Sequence, residues 1–245
     1  MKQQTLTDHL IELRNRLICC ILFLFIAVIF SYIYSTDIYN FLLQPLIDAY
    51  GDRLDRRIIY TSPAEAFTTY IKLSFFSGFF LSFPAIAFQS YFFIAPGLYK
   101  SEKKTVISIL LFSPLLFVTG AALAYYFIFP LCFEFFLSFE VSGAVSKLPI
   151  EMEARISEYL DLVIQLILGF GIAFQLPVIL VFLVKIGILS VESLRKKRKY
   201  WAILIFILAA ILTPPDAISQ LTMAIPMLLL YEIAILVATR IKKSN

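Results

Sequence analysis

Six apolar stretches separated by short polar or basic segments divide the chain: Leu17 to Tyr34, Tyr70 to Ala95, Val106 to Phe129, Leu162 to Val184, Tyr200 to Leu212 and Ala217 to Ala238. A helix needs about 20 mostly apolar residues to cross a bilayer, so each stretch is predicted as a span. The fifth reaches only about 20 Å at 1.5 Å per residue, and with the sixth it reads as a hairpin closed by Thr213, Pro214, Pro215 and Asp216. Pro84, Pro114, Pro177 and Pro226 fall inside four of the stretches. Each removes a backbone donor and crowds the preceding turn, so kinks are expected. Ahead of the first span, Leu6, Leu10, Leu13 and Leu17 repeat at helical spacing while Asp8, Glu12, Asn15 and Arg16 fall largely elsewhere. Residues 6 to 17 therefore predict an amphipathic N-terminal helix that continues into the membrane. The expected fold is an all-α integral membrane protein: one transmembrane domain over 1–245, with six helices in a proline-kinked, cupped bundle whose fifth and sixth helices are short.

Composition agrees with this pattern. Hydrophobic residues make up 60% of the chain, mean hydropathy is +0.88 and only 16% of residues are charged, so lipid must be the solvent for most of the surface. The net charge of +4 is modest, and its clustering points to membrane orientation rather than nucleic-acid binding. Fifteen of the 21 Lys and Arg lie outside the spans on the side shared by both termini, against five on the other. Positive segments stay inside, which predicts cytoplasmic N and C termini. Cys19, Cys20 and Cys132 have neither disulfide nor metal spacing. The single histidine, His9, sits near the N-terminus, and no HExxH signature occurs. Neither an enzyme nor a metal or other cofactor is expected.

Two carboxylates stand out because each lies in a basic stretch beside a long apolar helix. Glu12 either pairs with Arg16 one turn away or faces a ligand. Ser101 can cap the helix after Ala95, Pro96 and Gly97, placing Glu102 in its first turn, beside Lys100, Lys103 and Lys104. By the charge count both belong to the cytoplasmic face. Gln175 lies in an apolar span beside Pro177, where an amide needs a partner, either another helix of this chain or, as the favoured reading, an associated subunit. Asp216 is placed to cap the last helix at the outer turn. Lys72 and Glu232, near helix ends, are expected to snorkel.

The run His9, Leu10, Ile11, Glu12, Leu13, Arg14, Asn15, Arg16, Leu17 resembles the opening of the TatC family, the multi-spanning receptor subunit of the twin-arginine protein translocase. So do Phe93 through Glu102, Gly171 through Pro177, and Leu212 through Asp216. Many members of the family carry Glu where this chain has Gln175. The resemblance implies a signal-peptide receptor and core subunit at the cell inner membrane. It would bind Arg-Arg signal peptides of folded cargo and recruit single-span TatA/TatB-type subunits into an oligomeric complex driven by the proton-motive force. Glu12 and Glu102 match the carboxylates assigned to the twin arginines, with Arg14 orienting Glu12 or meeting lipid phosphate. Phe93, Tyr99 and Pro45 either shape the receptor surface or anchor it in the interface, and Gln175 with Pro177 would meet a partner helix. The alternative is a secondary transporter of a small solute, which would place ionisable residues in mid-bilayer.

Overall fold

Backbone crossing lipid must bond its own N–H and C=O groups, and the chain does so in long helices. The computed structural model describes residues 6–51, 56–94, 100–141, 150–213 and 216–243, without the side chains at 6, 8, 94, 100–106, 108–110 and 241–243. Helix α1 (Leu6–Ile33) is unbroken from the amphipathic segment through the first apolar stretch, and α2 (Ser35–Tyr50) follows at its far end. Helix α3 (Glu65–Ile94) returns antiparallel to α1 and packs along it. Gly78 permits the approach, since a Cβ there would lie 2.5 Å from the Val28 side chain. Helix α4 (Lys100–Leu123) passes through a π turn at Ala124–Ile128 into α5 (Phe129–Leu137). It begins one residue before Ser101, the expected cap.

Helices α6 (Ile156–Ala173) and α7 (Leu176–Lys185) make up the fourth stretch, interrupted at Phe174 and Gln175 where Pro177 opens the new helix. After the six-residue α8 (Val191–Lys196), α9 (Arg198–Leu212) and α10 (Ala217–Lys243) complete the chain. At 15 residues α9 spans about 22 Å, less than a hydrocarbon layer of about 30 Å. The expected shortness applies to this element alone, because α10 has 27 residues and continues into the basic tail. Among the described residues, five helical segments are long and apolar enough to cross a membrane: His9–Ile33, Glu65–Phe93, Leu111–Leu137, Ile156–Lys185 and Ala217–Arg240. Pro84, Pro114 and Pro226 lie within α3, α4 and α10.

The core lies where α4, α5, α6, α7 and α10 meet, around the fully buried Phe117, Phe129, Phe133, Phe170 and Met223. Phe117 stacks on Phe83 at 3.9 Å between ring centroids and presses against Gly171, where a Cβ would come within 2.6 Å of the ring. Glycine therefore sets the spacing of α4 and α6. Helix α1 stands outside this core, with 6% of its apolar window buried against 50% for Ile156–Lys185.

Two ends of the bundle result. The N-terminal end carries the starts of α1, α4 and α9 and the ends of α3, α7 and α10. The opposite end carries α2, α5 and two strands that periodicity did not announce, β1 (Ile58–Ile59) and β2 (Ala154–Arg155), paired in parallel with Ile58 opposite Ala154.

Candidate functional site

At the N-terminal end, α1 and α3 meet through a small polar and aromatic cluster. Glu12, one turn before Arg16, accepts a hydrogen bond from its guanidinium at 3.0 Å. The same guanidinium donates to Gln89 Oε1 at 3.0 Å and lies over the Phe92 ring at 5.2 Å. The His9 ring stacks on Phe93 at 4.4 Å. Gln89, Phe92 and Phe93 share one face of α3 by their i, i+3, i+4 spacing, which is why all three reach α1.

Glu12 thus has an intramolecular guanidinium partner, the plainer of its two sequence readings. Its carboxylate already sits in the geometry in which it can accept a charge-assisted bond, and its side chain keeps 23% exposure, enough to be reached from outside. Arg16, Gln89 and Phe92 are members of this cluster that motif reading did not select. Arg16 was visible as an i+4 partner, whereas Gln89 and Phe92 become neighbours only when α3 folds back.

Arg14 is exposed and among the described residues bonds to its neighbour, donating to Asn15 Oδ1 at 3.3 Å, rather than to Glu12. Glu102 is the third residue of α4, which starts six positions after α3 ends. Its backbone therefore belongs to the same end of the bundle as Glu12, while its side chain, like the whole of Tyr99, lies outside the described residues.

Pro45 does not join this group. It is buried in α2, at the opposite end. Proline at 45 cannot donate to the carbonyl four residues back, that of Phe41, and the Tyr125 hydroxyl supplies the missing donor at 2.7 Å. Tyr159 donates to the next carbonyl, Leu42, at 2.6 Å. Pro45 thus leaves free the acceptor by which the π turn after α4 holds α2, and α6 adds a second bond one residue on, rather than shaping a surface near Glu12.

Gln175 also differs from the favoured expectation. Its Oε1 accepts from Ser113 Oγ at 2.5 Å and its Nε2 donates to Ser113 O at 3.0 Å, so both ends of the amide are paired within the chain. Pro177, buried at the start of α7, lies just beyond this pairing. Asp216 accepts from Ser219 N–H at 2.7 Å and so caps α10, while its second oxygen is buried with no hydrogen-bond partner among the described residues. Lys72 and Glu232 pair rather than merely snorkel, with Asp161 and with Arg198 respectively, the latter at 2.7 Å.

The opposite end is tied by charge. Arg56 and Glu140 meet at 2.7 Å with side chains only 16% and 12% exposed, and Glu140 also accepts from Met152 N–H at 2.9 Å. Glu65, the first residue of α3, accepts from Thr61 N–H at 2.8 Å, bracing the turn that leads into the helix, and from Ser157 Oγ at 2.6 Å, which joins α3 to α6. In α2, beside Tyr70, burial pushes the Tyr39 hydroxyl up to about 12.

These features coincide with a known family. The profile of the Sec-independent protein translocase protein (TatC) matches residues 8–226. The chain belongs to the TatC family. It is 47% identical over 242 residues to the Sec-independent protein translocase protein TatC of Rickettsia prowazekii, covering 99% of this chain and 95% of that protein. Against the TatC of Escherichia coli K12 it is 40% identical, covering 95% and 87% respectively. A crystal structure of the twin arginine translocase receptor TatC superposes with a TM-score of 0.79 at 35% identity, over 94% of this chain and 99% of that one. As a TatC-family chain it is a multi-pass membrane protein of the twin-arginine translocase. Among the described residues, no three His, Cys, Asp or Glu cluster in a way that could hold a metal ion.

Proposed function

We propose that this chain is the signal-peptide receptor and core subunit of its translocase, a non-enzymatic transport component. In this reading the N-terminal end of the bundle faces the cytoplasm at the inner membrane, and Glu12 and Glu102 accept the two guanidiniums of an Arg-Arg leader. One observation carries the proposal: α3 brings Glu12 and the first turn of α4 to one end of the molecule, with Glu12 already holding a guanidinium at 3.0 Å.

The geometry supports exchange rather than a preformed vacancy. When an incoming arginine takes the Glu12 carboxylate, Arg16 still has Gln89 and the Phe92 ring, so it is not left as a stranded charge. Arginine is preferred over lysine because its planar fork can make two bonds to one carboxylate, whereas an ammonium acts as a point charge. A charge-assisted bond contributes about 1.5–3 kcal/mol, so two carboxylates suffice for strong selectivity without covalent chemistry. Single-span TatA/TatB-type subunits would then assemble around the bound cargo, drawing on the proton-motive force. The Gln175–Pro177 break is a candidate place for one of their helices, provided the helix can replace or extend the Ser113 pairing.

The test is photocrosslinking of a fluorescent Arg-Arg leader peptide, with its Lys-Lys counterpart as control, to membranes containing the protein. Glu12→Ala combined with Glu102→Ala is expected to abolish Arg-Arg crosslinking while the protein remains in the membrane. Undiminished crosslinking would reject these residues as the site.

A further inference from the structure

Between α1, α2, α3 and α4 lies a groove of about 480 Å³ that the receptor reading does not use. Its walls are apolar, formed by Phe30, Ile38, Phe76, Leu81, Val118 and Ala122 among others. A second cavity of about 520 Å³ adjoins it on the other side of the Phe41–Tyr125 stack, sharing Phe41, Tyr125 and Tyr126. Both volumes fall within the range of small-molecule sites. The second cavity is polar along one face of α2, where Asn40, Gln44 and Asp48 follow at intervals of four residues. Gln44 donates to Asp48 Oδ1 at 2.7 Å and steadies the carboxylate, and among the described residues no Lys or Arg lines this space.

We infer that the paired cavities bind a phospholipid with an ammonium headgroup, its acyl chain in the apolar groove and its headgroup against Asn40, Gln44 and Asp48. Four observations converge on that occupant. The apolar groove lies beside the last turn of α1 and the polar cavity beyond it, the order of tail and headgroup in a leaflet. The groove is open sideways to lipid, since Leu81 and Tyr126 on its rim are 53% and 65% exposed. Ser77 lines it, and the buried Ser77 hydroxyl has no hydrogen-bond partner among the described residues, so one donor awaits an acceptor such as an ester oxygen. The carboxylate with its neighbouring amide oxygens complements a cation and repels a purely anionic headgroup. An extended peptide fits less well, because its backbone groups would enter walls that offer them almost no partners. The inference is independent of the receptor reading and concerns the opposite end of the bundle.

Photoreactive phosphatidylethanolamine and phosphatidylglycerol, each carrying the reactive group near the acyl terminus, can be compared on the full-length protein in lipid nanodiscs, with labelled residues mapped by mass spectrometry. Phosphatidylethanolamine is expected to label the α1, α3 and α4 walls above the level at the lipid-facing Ile207 and Ile211 of α9, and above phosphatidylglycerol. Ala122→Trp, which fills the groove, should reduce that labelling to the α9 level. The surface variant Asp48→Asn with Gln44→Ala, which leaves the packing untouched, should erase the headgroup preference while chain labelling persists. Labelling equal to that of α9, equal labelling by the two lipids, or persistence of the preference in the α2 variant would overturn the assignment. Complete displacement of the lipid by an Arg-Arg leader peptide would make the groove a peptide site and reject the lipid.

Discussion

The two ends of this molecule are built on different principles. At the N-terminal end, Glu12 is held by one i, i+4 ion pair on a helix whose apolar window is 6% buried, and Arg16 divides its contacts among Glu12, Gln89 and Phe92. At the opposite end, Arg56 and Glu140 are nearly sealed from solvent, two tyrosines donate into consecutive carbonyls of α2, and β1 pairs with β2. The first arrangement can exchange partners at small cost. The second resists any loss, because its buried charges and carbonyls have no water at hand to replace a lost partner. Recognition thus fits the loosely held end and mechanical integrity the other.

Mutations can break or sharpen this contrast. The largest effect is expected from Arg56→Ala, which takes the countercharge from the nearly buried Glu140 carboxylate and should lower stability by about 3–5 kcal/mol, read as earlier thermal unfolding in detergent. Glu12→Gln should leave unfolding unchanged while weakening Arg-Arg leader binding by about 1.5–3 kcal/mol, measured by peptide titration. A large stability loss in this variant would erase the distinction between the ends. Tyr125→Phe keeps the ring stacked on Phe41 but orphans the carbonyl that Pro45 cannot satisfy, with an expected cost of about 1–3 kcal/mol in the same unfolding assay. Gln175→Met, which removes the bridge to Ser113, should cost about 1 kcal/mol. Arg57→Ala should change stability by less than about 1 kcal/mol, because its pair with Glu153 is 74% and 51% exposed. A cost as large as that of Arg56→Ala would show that burial does not govern this end.

Several features were legible from residue order because they are local. The leucines of the N-terminal arm repeat on one helix face, the proline beside Gln175 coincides with a break, and Asp216 lies three residues before the N–H that it caps. Glu12 was legible as a candidate but not in its setting, since Gln89 is 73 residues from Arg16. Pro45 was grouped with the receptor residues although it lies at the other end. Residue type marks it as a helix disruptor, but it cannot say which chain segment answers the orphaned carbonyl. Gln175 was correctly read as needing a partner, yet both candidate partners satisfied that need equally on paper.

The order of apolar and charged residues alone determined that this is a helical membrane protein, because lipid forces each crossing segment to bond its own backbone and water keeps charge out of it. It also marked the acidic positions beside the helices. Only the tertiary structure decided that Arg16 shares its guanidinium with α3, that Ser113 answers Gln175, that Tyr125 answers Pro45 and that Glu140 buries Arg56. In each case the partners are 62 or more residues apart and meet only because the folded chain returns to the same depth, a consequence of packing that no local pattern carries.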